Sequence, residues 1–237
     1  MRKILFSVTA MFALGAMATA GGDIDPVPAA PVDSWSGWYG GVQVGYNSGK
    51  SSVEAIDLNA NFTFSYLNPD PKGSEAGLYA GYNWLFGNGV LLGLEGGINV
   101  SGAKDSVVNS GGNTNFDFQL EESVETYLGT KVGMVLRDTY MPYLIGGASY
   151  VQLRGRWYYK PNPGSTPWEA WQHDSVWGWF VGAGVEVKVS ESIHLRAQYR
   201  YIDYREADFY QSSGGYSYEE KTDYEAHKIE LGLTYRF

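Results

Sequence analysis

Three histidines and no cysteine set the outer bounds on the chemistry open to this 237-residue chain. His173, Asp174 and Ser175 stand side by side, the residue types of a base, an orienting acid and a nucleophile. Hydrolysis needs such groups within hydrogen-bond reach of one another. Adjacent residues of an extended chain point to opposite sides, so Asp174 cannot orient His173 while Ser175 attacks beside it, unless a loop folds them together. His194 lies next to a turn and His227 on an apolar stripe, and neither completes the set. Scattered histidines without cysteine offer no metal-ligand spacing. The residue types therefore predict no catalytic, cofactor-binding or metal site.

The remaining chemistry-bearing residues are charges at alternate positions. Glu95, Glu125, Lys131, Glu186, Lys188, Arg196, Arg200, Lys228, Glu230 and Arg236 each fall on the polar face of an alternating segment. Both signs occur, which predicts a network of mutually satisfied ion pairs. The formal net charge of −9 argues against nucleic acid, whose phosphates call for an excess of lysine and arginine.

The segments that carry these charges read as strands. In the last one, His227, Ile229, Leu231, Leu233, Tyr235 and Phe237 alternate with Lys228, Glu230, Gly232, Thr234 and Arg236. One face of such a strand is apolar and the other charged or small. Seven earlier segments repeat the pattern, beginning near Trp38, Ala76, Val90, Val124, Tyr143, Trp177 and Ile193. The fifth is the least regular; Tyr143, Ile145, Val151 and Leu153 are expected to face out, leaving Gly146, Gln152 and Arg154 inside. Short connections join strands two to three, four to five and six to seven, and the other four are long (about 48–75, 102–123, 155–175 and 204–223). Alternating short turns and long loops, with an even strand count, predict an all-β, eight-stranded antiparallel up-and-down transmembrane β-barrel. Closure is required because an open edge would leave unpaired backbone groups in lipid. A lumen of that size is filled by side chains. A lipocalin-type soluble barrel would have the opposite polarity, apolar inside and polar outside.

The N-terminus reads differently. Met1-Arg2-Lys3 precedes an apolar run from Ile4 to Met17, and Ala18-Thr19-Ala20 offers a small-x-small cleavage site. Residues 1–20 are thus expected to be a signal peptide removed after about Ala20. Residues 21–35, with Pro26, Pro28 and Pro31, read as an extended periplasmic lead-in, and 36–237 as the barrel. The four long loops are rich in aromatics. Phe62, Phe64 and Tyr66 at period two allow the first hairpin to continue above the bilayer as a β-ribbon. Trp157, Tyr158, Trp168 and Trp171 in the third loop are candidate contacts for a partner, and packing against one another is the alternative.

Trp35-Ser36-Gly37-Trp38-Tyr39-Gly40-Gly41, followed by Gly45-Tyr46-Asn47, resembles the first strand of the small outer-membrane barrels of Alphaproteobacteria. That family holds major surface antigens related to the opacity-type proteins. Leu128-Gly129-Thr130-Lys131-Val132-Gly133 with Pro142-Tyr143-Leu144-Ile145-Gly146-Gly147 is similar to the family's central hairpin. The similarity spans nearly the whole chain and departs in the loops, the third of which is unusually aromatic. It implies the outer membrane of a Gram-negative bacterium, with outer-membrane lipid and lipopolysaccharide as surroundings. It also implies that Tyr235 and Phe237 form an assembly signal read by the barrel-assembly machinery. The expected function is a structural barrel and surface antigen that supports envelope integrity, with adhesion to a host or cell-wall ligand through the loops. The alternative is a narrow porin or small-solute channel.

Overall fold

Alternating side chains become ten strands in the computed structural model, which describes residues 35–57, 62–111, 114–160, 166, 168–213 and 216–237. They are β1 (Gly37–Asp57), β2 (Phe62–Leu67), β3 (Lys72–Leu85), β4 (Val90–Ser101) and β5 (Lys104–Gly111), then β6 (Thr114–Met134), β7 (Tyr140–Lys160), β8 (Trp168–Lys188), β9 (Ile193–Ser213) and β10 (Tyr216–Arg236). The expected signal peptide and most of the proline-rich lead-in, residues 1–34, lie outside the described residues.

Eight of these strands form the wall. Their order is β1, β10, β9, β8, β7, β6, β4, β3, and β3 pairs back onto β1, so the sheet has no edge. The two others, β2 and β5, pair with β1 and β6 beyond the wall. Followed at right angles to the strands, the ladder passes from Gln152 through Val124, Val100, Ala76, Val44, Leu231, Ala197 and Val185 to Pro142, ten residues from its start on β7. Eight strands with such a stagger tilt by roughly 40° and enclose a space that side chains can fill.

The long connections differ from simple loops. β6, β7, β8, β9 and β10 each run for 21 residues, whereas about 9–11 suffice for a tilted crossing. The excess continues as paired ribbons; β7 stays in register with β8 from Tyr140 to Tyr159. Ribbons form because the aromatic alternation seen in the first loop recurs in the others and suits a pleated surface. At the opposite end the turns are tight, with Arg137, Asp138 and Gly89 in the left-handed region (φ 52°, 53° and 81°).

Strand β7 faces the other way from its sequence-based expectation. Tyr143, Ile145, Val151 and Leu153 are buried in the lumen, while Leu144 is 67% exposed and Gln152 and Arg154 point outward. The reason lies on β8. Tyr143 pairs with Gly184 and Ile145 with Gly182, and these glycines leave the room that the inward side chains fill. A Cβ on Gly184 would stand 2.5 Å from the Tyr143 ring. With apolar residues at 143, 144 and 145 alike, alternation alone does not choose the face.

Candidate functional site

The lumen is where the charged residues converge. At the turn end, Arg236 donates to Glu186 (2.6 Å) and, through Nε, to His194 Nδ1 (3.1 Å). Glu186 accepts from Lys131 at 2.8 Å, and the same ammonium lies 3.4 Å from Glu95. Both oxygens of Glu95 accept from Arg196 Nη1 at 2.8 Å, and the hydroxyls of Tyr39 and Tyr127 add bonds of 2.8 and 3.0 Å. Arg196 lies over the Tyr79 ring, 3.6 Å from its centroid. Gln43 links this half to the next, accepting from Arg196 and donating to Glu230.

In the upper half, Arg200 holds Glu230 at 2.8 and 2.9 Å and Glu125 at 3.1 and 3.2 Å. Lys228 places its ammonium among three carboxylates, Glu122 (2.6 Å), Glu75 (2.9 Å) and Glu125 (2.9 Å). Asn47 and Tyr224 also donate to Glu122. All these charged groups are buried. Desolvated charges persist only where geometry and further hydrogen bonds offset the loss of water, and this network supplies both.

Both ends of the lumen are closed by less polar groups. Trp35, fully buried at the turn end, stacks edge-on against His194 (4.4 Å) and donates from its indole to Asp138 (3.1 Å). Asp138 also accepts from Lys188, and that bond holds its carboxyl below the usual range. Above the ion network, Phe118, Leu120, Val151 and Leu153 are buried, with Tyr204 stacked on Tyr224 at 5.4 Å.

Of the residues read from the sequence as lumen charges, Glu95, Glu125, Lys131, Glu186, Arg196, Arg200, Lys228, Glu230 and Arg236 meet in this network. Lys188 does not. It sits at the turn-side rim, paired with Asp138 (2.9 Å) and Glu191 (3.1 Å), because β8 ends there and its side chain reaches water. Two members escaped the sequence reading, Glu75 and Glu122. Glu75 falls at the end of the first long connection by pattern, yet β3 begins three residues before it. Glu122 and Glu125 are an odd number of residues apart, and a register shift between Glu122 and Val124 turns both inward. A bulge of this kind breaks the period of two that places side chains by alternation.

Other chemistry-bearing groups remain apart. Glu75, Glu122 and Glu125 have ligand atoms within 4.8 Å of one another, but the Lys228 ammonium already serves as their counter-ion. On β8, His173 and Ser175 are exposed, while Asp174 pairs with Leu153 and accepts from the Ser175 backbone N–H at 2.7 Å, so no relay forms. On the β7–β8 ribbon, Trp171 donates to Glu169 (2.8 Å), and the Arg156 guanidinium lies 5.5 Å from its ring and 5.9 Å from that of Tyr158. Trp157 and Trp168 are placed on this ribbon by backbone pairing, and their side chains lie outside the described residues. Tyr235 and Phe237 face outward, edge to face at 5.2 Å.

The outer wall completes the polarity. Val44, Leu78, Val100, Leu128, Leu144, Val181, Ile229 and Leu231 are all at least half exposed. Aromatic residues border this band, with Trp38, Trp84, Tyr140 and Tyr235 towards the turns and Tyr46, Trp177 and Trp179 towards the ribbons. An apolar belt between two aromatic girdles, around a polar interior, is the signature of a barrel in lipid.

Comparison with known proteins agrees with that architecture. The family model described as "Outer membrane protein beta-barrel domain" matches residues 6–237. The 31 kDa outer-membrane immunogenic protein of Brucella melitensis is 31% identical over 244 residues, covering 99% of this chain and 98% of that protein. The 25 kDa outer-membrane immunogenic protein of Brucella abortus is 29% identical, with 90% and 84% covered. Among solved structures, the outer-membrane protein OprG from Pseudomonas aeruginosa shares the fold with a TM-score of 0.53 at 13% identity, over 85% of this chain and 96% of that one. This chain belongs to the outer-membrane β-barrel family, alongside the immunogenic outer-membrane proteins of the alphaproteobacterium Brucella.

Proposed function

We propose that this chain is a non-conducting structural barrel of the outer membrane, which presents its four β-ribbon hairpins at the cell surface as antigen and as contact surface for a host or cell-wall ligand. The observation that carries this reading is the lumen, which is occupied by paired charges and capped by Trp35 at one end and by Phe118, Leu120 and Leu153 at the other. Ion passage would require breaking buried pairs one after another, and each break leaves an uncompensated charge. Long extracellular hairpins and short periplasmic turns supply the sidedness. The relatives' names as immunogenic proteins support a surface role, and the aromatic ribbon around Trp171 and Tyr158 supplies material for contact. Tyr235 and Phe237, exposed on the outer wall, are the groups offered to the assembly machinery.

Planar-bilayer recording of the refolded protein tests the reading, with barrel closure checked by faster migration of the unboiled sample. Little or no steady conductance is expected. Large, reproducible open steps from protein that passes the migration check would instead establish the narrow-porin alternative.

A further inference from the structure

The charges of the lumen do not balance. Among the described residues it buries six carboxylates, Glu75, Glu95, Glu122, Glu125, Glu186 and Glu230, against five cations, Lys131, Arg196, Arg200, Lys228 and Arg236. His194 adds no charge, because its Nδ1 accepts from Arg236 and its one proton is on Nε2. The excess is at the ribbon end. There Glu75, Glu122, Glu125 and Glu230 share Arg200 and Lys228, whereas Arg196 is committed to Glu95. Lys50 on β1 and Lys72 on β3 stand on the exposed outer face and do not enter the lumen.

The hydrogen bonds single out one of the four acids. Each oxygen of Glu122, Glu125 and Glu230 accepts from at least one donor. Glu75 accepts a single bond, from Lys228 to Oε2, and its Oε1 is buried without a donor. A second buried acceptor without a donor, Asn47 Oδ1, is on the adjoining strand. Gly45 pairs with Glu75 and Asn47 with Gly73, so the two side chains are diagonal neighbours on the inner face. The Asn47 amide donates to Glu122 at 2.6 Å, which leaves its oxygen as the free end. Two acceptors cannot satisfy each other, but a proton on one makes it a donor. Carboxylates gathered this closely out of water do not all ionise. The wall also closes over Glu75 Oε1. A Cβ on Gly45 would stand 3.1 Å from that oxygen and 2.7 Å from the Ile229 carbonyl, which leaves no room for the six or more ligands of a hard metal ion.

We propose that the barrel binds one proton in the upper lumen, on Glu75 Oε1, and that this proton is donated to Asn47 Oδ1. With it in place the lumen holds five charges of each sign. The bond latches β3 to β1 close to where β3 begins, beside the Lys228 bond from β10. The charged groups that face it are Glu122 and Glu125 of β6, Arg200 of β9, and Lys228 and Glu230 of β10. Folding at neutral pH then takes up a proton that the unfolded chain does not hold, so the latch weakens as pH rises. Alkali removes the proton and loosens the base of the first ribbon.

Infrared spectroscopy of the full barrel, refolded in an amine-oxide detergent that has no carbonyl group, tests the proposal. One neutral-carboxyl band is expected at neutral pH, absent from Glu75→Gln and retained in Glu191→Gln, whose acid is on the exposed rim. Urea titration gives a second reading. The gap between wild type and Glu75→Gln should be constant in acid. With rising pH the unfolding constant of the wild type should then grow relative to that variant by about tenfold per pH unit, the slope of one proton, until the band is lost. Asn47→Ala removes the acceptor and should move the band to higher frequency. It carries the test should Glu75→Gln fail to form a barrel, as judged by fast unboiled migration. No neutral-carboxyl band in the wild type, a band kept in Glu75→Gln or unmoved in Asn47→Ala, or a stability gap independent of pH would overturn the proposal. A urea midpoint that falls on adding a chelator would do the same, since a metal ion would then meet the excess charge.

Discussion

Lys228 shows how strongly a single residue is committed in this lumen. Its ammonium is shared by Glu75, Glu122 and Glu125 at 2.6–2.9 Å, and it is fully buried. Replacing it with methionine keeps the volume and removes the counter-ion of three carboxylates. Lys228→Met is expected to lower stability by about 3–5 kcal/mol, the cost of stranding a buried charge. Urea titration of the heat-modifiable band measures the change, and an unchanged midpoint would contradict the ion-network account. Lys188→Met, at the wet rim, should cost less than about 1 kcal/mol because exposed pairs are screened. Its partner Asp138 has a carboxyl held below the ordinary range by that bond. The sign follows: the small gain is present above the unfolded-state pKa and disappears as pH falls through the lower folded-state value. The Lys188→Met difference from wild type should therefore shrink in acid.

Strand β7 and the bulge on β6 are the two elements whose orientation local pattern leaves open. Placing Leu144 outside and Ile145 inside has a direct consequence for labelling, made simple by the absence of cysteine. Leu144→Cys carrying a fluorophore should be quenched by lipid-borne quenchers in reconstituted barrels. Ile145→Cys should resist modification until the protein is unfolded. The reverse result would restore the orientation inferred from sequence. On β6 the shift between Glu122 and Val124 carries two carboxylates to the same cation. Deleting Ser123 sets Glu122 and Glu125 two residues apart, so regular pairing with Leu153 and Val151 keeps both carboxylates on Lys228 without the bulge. The deletion variant is expected to lose much less stability than Lys228→Met, read by the same urea titration, and a loss as large would show that the bulge itself positions Glu122.

For the whole molecule, the ribbons and the membrane-spanning barrel should separate in experiment. The ion network is contained between wall strands, and the ribbons extend beyond it. Removing the ribbon tips should leave fast unboiled migration and the absence of steady conductance intact, while abolishing binding of antibodies raised against folded protein to intact cells. Conductance appearing on truncation would mean that the ribbons, and not the packed charges, seal the lumen.

Alternation of small or charged residues with Val, Leu and aromatics along the chain determined the eight wall strands, their closure and their membrane setting, because side-chain period and hydrogen-bond satisfaction in lipid admit one solution. Nine of the lumen charges were legible for the same reason, each lying on the polar face of its segment. Tertiary structure alone decided the rest. Which face of β7 turns inward depends on Gly182 and Gly184 across the ladder, some forty residues away. Glu75 and Glu122 join the network through strand ends and a bulge set by pairing partners, and Lys188 leaves it because its strand stops at the rim. The opposed Lys72 and Lys104 belong to segments that local pattern assigned to separate loops. Period is a property of the chain by itself, whereas register, and the neighbour it delivers, exists only once the barrel has closed.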